Sequence, residues 1–82
     1  MIPSAPASRA VLDLRGTPCP VNFVRCRLAI EDLSPKDCLE VLLDIGEPEE
    51  IVMAGLKNEG HCVEVLHKQS TWVRLLVICG AR

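Results

Sequence analysis

The stretch Arg15-Gly16-Thr17-Pro18-Cys19-Pro20-Val21-Asn22 constrains this chain most, because Gly16, Pro18 and Pro20 break it between an alternating apolar segment and a helical one. Pro20 pushes Cys19 toward extended backbone, while proline itself suits the first position of a helix, where its missing N–H has no intrahelical role. The spacing predicts Cys19 as the N-cap and Pro20 as the first helical residue. A cysteine there faces unpaired N–H groups and the positive end of the helix dipole, which favour an anion and hence the nucleophilic thiolate. Against this stands the plainer reading of Cys19 as a structural cap or a small buried residue.

The flanking patterns set the fold. Ala10, Leu12 and Leu14 alternate with Val11 and Asp13 as in a half-buried strand. From Pro20 to Leu33, the residues Val21, Val24 and Leu28, with Phe23, Cys26, Ile30 and Leu33 beside them, recur at helical spacing until Ser34-Pro35 stops the helix. Cys38 to Leu43 reads as a second strand. Gly46-Glu47-Pro48-Glu49-Glu50 reads as a second helix start, with early proline and carboxylates where the dipole favours them, and Gly60 as its left-handed cap. Strands near Cys62 to His67 and Trp72 to Cys79 flank a short turn and form a hairpin.

The order βαβαββ predicts a two-layer α/β sandwich: a four-stranded mixed sheet with both helices on one face. Residues 1–8, rich in Pro, Ala and Ser, read as a disordered tail, and residues 9–82 as a single domain. Val63, Val65, Val73, Leu75, Val77 and Cys79 are expected inward. Leu42, Leu66, Trp72, Leu76 and Ile78 then point outward among Glu40, Glu64 and Arg74, an apolar face suited to a homodimer or to partner docking.

Composition narrows the function. A chain of 82 residues has no room for a deep substrate cavity, so chemistry belongs near the surface. With 9 basic and 11 acidic residues, no basic run, one Trp, one Phe and no Tyr, neither a nucleic-acid footprint nor a stacking platform is present. No segment reaches the ~20 apolar residues of a membrane span and the start is no signal peptide, so the cytoplasm is the expected compartment. Five cysteines without a C-x-x-C pair do not make a disulfide framework, and free thiols are expected. Cys26 and Cys79 read as packing; Cys38 and Cys62 lie on the outward alternation, where either could serve as a resolving thiol. His61 and His67 lack paired ligand spacing, so no metal and no other cofactor is expected, and His61 reads as a turn residue.

Together, Leu12-Asp13-Leu14-Arg15-Gly16-Thr17-Pro18-Cys19-Pro20, the helix after it and the downstream Glu59-Gly60-His61 resemble the TusA/SirA family of small sulfur-carrier proteins over about Leu12 to Leu66. The resemblance implies that Cys19 accepts sulfur as a persulfide from a cysteine desulfurase or another carrier and relays it to an acceptor, in tRNA thiolation, sulfur oxidation or another sulfur pathway. Pro20, Asn22 and Arg15 are accessory residues in this reading. The family's C-P-x-P is C-P-x-N here. Asn22, taken as the third helical residue, restores a backbone donor and adds amide donors, so it is expected to hold a sulfur anion better than proline would. Two other functions stay open: a thiol redox regulator pairing Cys19 with Cys38 or Cys62, and a non-catalytic interaction module using the apolar face.

Overall fold

The computed structural model describes residues 10–80; the expected tail, residues 1–8, lies outside the described residues, as do residues 9, 81 and 82. The elements are β1 (Ala10–Asp13), α1 (Val21–Glu31), β2 (Cys38–Asp44), α2 (Glu47–Asn58), β3 (Cys62–Lys68) and β4 (Trp72–Ile78), the predicted βαβαββ order. The sheet runs β1-β2-β4-β3, with β1 parallel to β2 and the other pairs antiparallel.

Register explains the core. Leu39 lies opposite Val77, Val41 opposite Leu75 and Leu43 opposite Val73, so one pleat face presents three apolar rows to the helices. Cys26 and Ile30 of α1 and Val52 and Leu56 of α2 close over those rows, joined by Leu14 and Cys79. Both helices therefore lie on one side of the sheet. They pack closely because Gly55 of α2 has no side chain: a Cβ there would stand 2.5 Å from Cε1 of Phe23.

The second helix is bounded as its sequence dictates. Glu47, Glu49 and Glu50 lie in the first turn, and Gly60, at φ +95, follows the C-cap Glu59. The Gly60 N–H donates to Lys57 O and the His61 N–H to Leu56 O, the paired bonds of a Schellman ending. His61 is more than a turn residue. It is buried, and its Nδ1 accepts the N–H of Gly80 at 3.0 Å, fastening the chain beyond β4 to the end of α2.

Three expectations are corrected. Val65, expected in the core, is exposed, because β3 is an edge strand and the ladder shifts by one residue between Val65 and His67. That bulge sets Lys68 opposite Val73 on the helix side, where its Nζ lies 3.4 Å from Oε2 of the largely buried Glu49. Leu42, expected on an open apolar face, is buried; its neighbours in register are Asp13 and Arg74, whose side chains pair with Arg15 and Glu40. Val21, Val24 and Leu28, read as part of the core stripe of α1, are exposed, while Asn22, Cys26 and Ile30 face the sheet.

Gly80 tests this packing. A Cβ on it would collide with the carbonyl oxygen of Gly60, a backbone atom that cannot rotate away. Gly80→Ala is expected to destabilise the domain by about 1–3 kcal/mol, the usual range for overpacking, seen as a lower urea midpoint with an unchanged slope.

Candidate functional site

The strands β1 and β2 end side by side, and the loop from Leu14 to Pro20 leaves the sheet there. Leu14 is buried and its N–H donates to Leu42 O. Gly16, at φ +80, takes the third place of the turn closed by the Thr17 N–H on Leu14 O, where a type II turn requires a positive φ. Its own N–H donates to Oδ2 of Asp44 at 2.8 Å. The loop is thus tied to both strand ends before it reaches Cys19.

Cys19 is exposed, but it is not the N-cap. Pro20 occupies that place, with φ −92 and ψ 9, and its carbonyl accepts the N–H of Val24 at 3.0 Å. The reason lies in the next donor along: the Phe23 N–H goes to the Asn22 side chain, Oδ1, at 2.7 Å and not to the Cys19 carbonyl. Cys19 stays one residue outside the helix, joined to Pro20 by a cis peptide.

Asn22 is the second helical residue, not the third, and its backbone N–H is not free to serve the thiol. Its N–H donates to Pro18 O at 3.1 Å, and its side chain is fully buried. The amide Nδ2 is buried with no partner among the described residues. In the first turn, only the N–H of Val21 has no partner among the described residues. Sequence reasoning placed Asn22 by its polarity; a buried side chain that accepts the N–H of the next residue is a local geometry that helical spacing does not encode.

Arg15 is also committed elsewhere. Its Nε and Nη2 grip the carboxylate of Asp13 at 2.9 and 2.8 Å, its backbone N–H adds a third bond, and its guanidinium lies 5.3 Å from the centre of the Trp72 ring. These bonds, the side-chain ones first, lower the Asp13 carboxyl to about 2 and raise the Arg15 guanidinium. The pair is about half exposed, so salt screens it. Trp72, stacked at an angle against His67, and Asp44 complete this end of the sheet; the sequence placed Trp72 only on the outward sheet face, and neither was read as part of the site.

The other thiols are separated from Cys19 by the fold. Cys26 is buried, which pushes its thiol up to about 11 against a small opposing influence of Arg25, and Cys79 is buried as well. Cys38 and Cys62 begin β2 and β3 and flank Ile78 in register, so they stand at the opposite end of the sheet. Seven residues of β2 put that end about 20 Å from the Cys19 loop, far beyond the 4.4–6.8 Å Cα separation typical of a disulfide. The redox alternative loses its internal partner. Among the described residues no three His, Cys, Asp or Glu side chains are grouped as a metal site, and no helix is long and apolar enough to cross a membrane.

The geometry therefore gathers one exposed thiol, a helix start and a braced loop at one edge. The sequence profile of the family described as Sulfurtransferase TusA matches residues 10–78. A protein of Archaeoglobus fulgidus provisionally named a sulfur carrier protein is 33% identical over 58 residues, covering 71% of this chain and 66% of the relative. The chain thus spans just under two thirds of that relative's length. The crystal structure of a SirA-like protein from Desulfitobacterium hafniense superposes with a TM-score of 0.75 at 20% identity, over 88% of this chain and 99% of the other, a likeness of fold.

Two measurements check the electrostatics and exposure of this site. The Asp13 carboxyl is expected to titrate near 2 by carbon-detected NMR, and Arg15→Gln to return it toward the ordinary carboxylate value of 3.8. Because the folded value is depressed, the stabilisation is full above the unfolded value and fades as pH falls toward 2. In native protein at pH 8, iodoacetamide is expected to label Cys19 and Cys62 and to leave Cys26 and Cys79 unmodified until denaturant is added.

Proposed function

Because the chain belongs to the TusA sulfurtransferase family, we propose that it is a sulfur carrier whose working group is Cys19. The observation that carries this reading is the position of Cys19: exposed, one residue before the cap of α1, on a loop braced at both ends.

Cys19 Sγ, as a thiolate, attacks the outer sulfur of a persulfide on a donor protein such as a cysteine desulfurase. A new S–S bond forms on Cys19 as the donor's own S–S bond breaks, and the donor cysteine leaves as a thiolate. The acceptor's nucleophile then attacks the outer sulfur held on Cys19, and Cys19 leaves as a thiolate in turn. One sulfur atom moves with its bonding electrons replaced at each exchange, so transfer between thiols needs no external oxidant or reductant.

Little else is required of the protein. Nucleophile and leaving group are both thiolates, so no separate base has to sit beside Cys19. Pro20 and Asn22 act by closing the turn that keeps Cys19 outside the helix. Arg15 acts through Asp13 and Trp72, holding the loop against the sheet. The exposed setting suits a carrier that must meet a donor and then an acceptor with the same atom.

Reduced protein incubated with a cysteine desulfurase and cysteine is expected to gain about 32 mass units per sulfur atom by intact mass spectrometry. Cys19→Ser should abolish the gain and Cys62→Ser should leave it. Equal gain in Cys19→Ser would refute Cys19 as the acceptor.

A further inference from the structure

The helix α1 is apolar on two opposite sides. Asn22, Cys26 and Ile30 face the sheet. Val21, Val24 and Leu28 are 47, 45 and 57% exposed. At 3.6 residues per turn those three lie within about 60° of one another, on the side diametrically opposite Cys26. They form the outermost ridge of the helix, the place where a solvated helix ordinarily carries polar side chains. The ridge starts two residues after Cys19.

Its flanks are charged and unequal. Arg27, on the α2 side, is held by Glu59 at 3.1 Å and lies over the Phe23 ring. Arg25, on the other side and one turn on from Val21, has no carboxylate partner among the described residues. The end of the ridge nearest Cys19 therefore presents apolar side chains beside an uncompensated positive charge.

We infer that the ridge Val21-Val24-Leu28, with Arg25, is the surface through which a protein sulfur donor docks on this chain, by an apolar groove rimmed with carboxylate where it meets Arg25. The inference rests on the sulfur-carrier reading and names the contact that reading leaves open. The spacing i, i+3, i+7 is the set of anchors by which a helix is read in a groove, and engaging it places Cys19 at the groove's end. Size favours a passing partner over a second copy of the chain. Three side chains on two turns cover far less than the roughly 800 Å² per partner of a standard stable interface, which suits a carrier that must be released after loading.

The test compares two sources of sulfur: inorganic polysulfide, small enough to need no docking, and the purified cysteine desulfurases of the source organism, each with cysteine. The variants are Val24→Asp/Leu28→Asp, a milder Val24→Ser/Leu28→Ser pair, and Arg25→Glu. All alter exposed residues, and circular dichroism checks their fold. Loading of Cys19 by polysulfide is expected to stay within about twofold of wild type in every variant, whereas loading by a desulfurase should need about tenfold more carrier for half-maximal rate in the aspartate pair, with a smaller loss in the serine pair. For Arg25→Glu the defect should shrink as salt rises, because its contact is electrostatic.

Unchanged concentration dependence in both pairs would overturn the inference. So would wild type that polysulfide loads but no desulfurase does, a wild-type dimer that the aspartate pair dissociates, or binding of the ridge to phosphatidylglycerol vesicles that the aspartate pair abolishes. Failure of both sources to load Cys19 in wild type would instead refute the carrier reading, and this inference would fall with it.

Discussion

A helix begins with N–H groups that have no acceptor inside it, and the way they are satisfied decides where the preceding chain points. In α1 the Asn22 N–H turns back to Pro18 O, the Val24 N–H to Pro20 O, and the Phe23 N–H to the side chain of Asn22. The Cys19 carbonyl is passed over, so Cys19 is left outside the helix with its thiol in solvent. Had the Phe23 N–H bonded to Cys19 O, Cys19 would have become the cap. The rest of the small fold positions this turn: the parallel ends of β1 and β2 anchor the loop through Leu42 and Asp44, and the core stripe of α1 fixes the helix that receives it.

Much of the architecture was legible because it rests on periodicities that survive tertiary packing. The alternation in β2 and β4, the proline and carboxylates opening α2 and the glycine ending it all point to one arrangement, and the structure carries that arrangement. What was not legible has a common cause: positions whose neighbours come from elsewhere in the chain. The alternation of β3 runs straight through Leu66, but the bulge there and the strand's place at the sheet edge leave Val65 exposed. In α1, apolar residues occupy both sides, so spacing alone could not say which side met the sheet. The sheet chose Asn22, Cys26 and Ile30.

The candidate site was legible in part. Cys19 was evident from the two prolines around it, as was the break between strand and helix. The supporting cast was not, because it works through contacts distant in sequence or through side-chain to backbone bonds: Asp44 on the Gly16 N–H, Trp72 under the Arg15 guanidinium, Oδ1 of Asn22 on the Phe23 N–H. These residues act on the shape of the loop, and Cys19 alone among them presents a nucleophile. The division suits a carrier, whose chemistry is shared with whichever protein it meets.

Exposure by itself does not single out Cys19, since Cys62 is exposed too, at the far end of the sheet. In the proposed function, placement at the start of α1, on the braced loop, selects the thiol that carries sulfur. The most direct measurement is peptide-level mass spectrometry of wild-type protein after a single round of loading by a cysteine desulfurase, with alkylation before digestion to fix the sulfur where it sits. The extra sulfur is expected on the peptide containing Cys19, with the Cys62 peptide carrying only the alkyl group. Sulfur distributed evenly between the two peptides would show that solvent access alone decides, and would contradict the account.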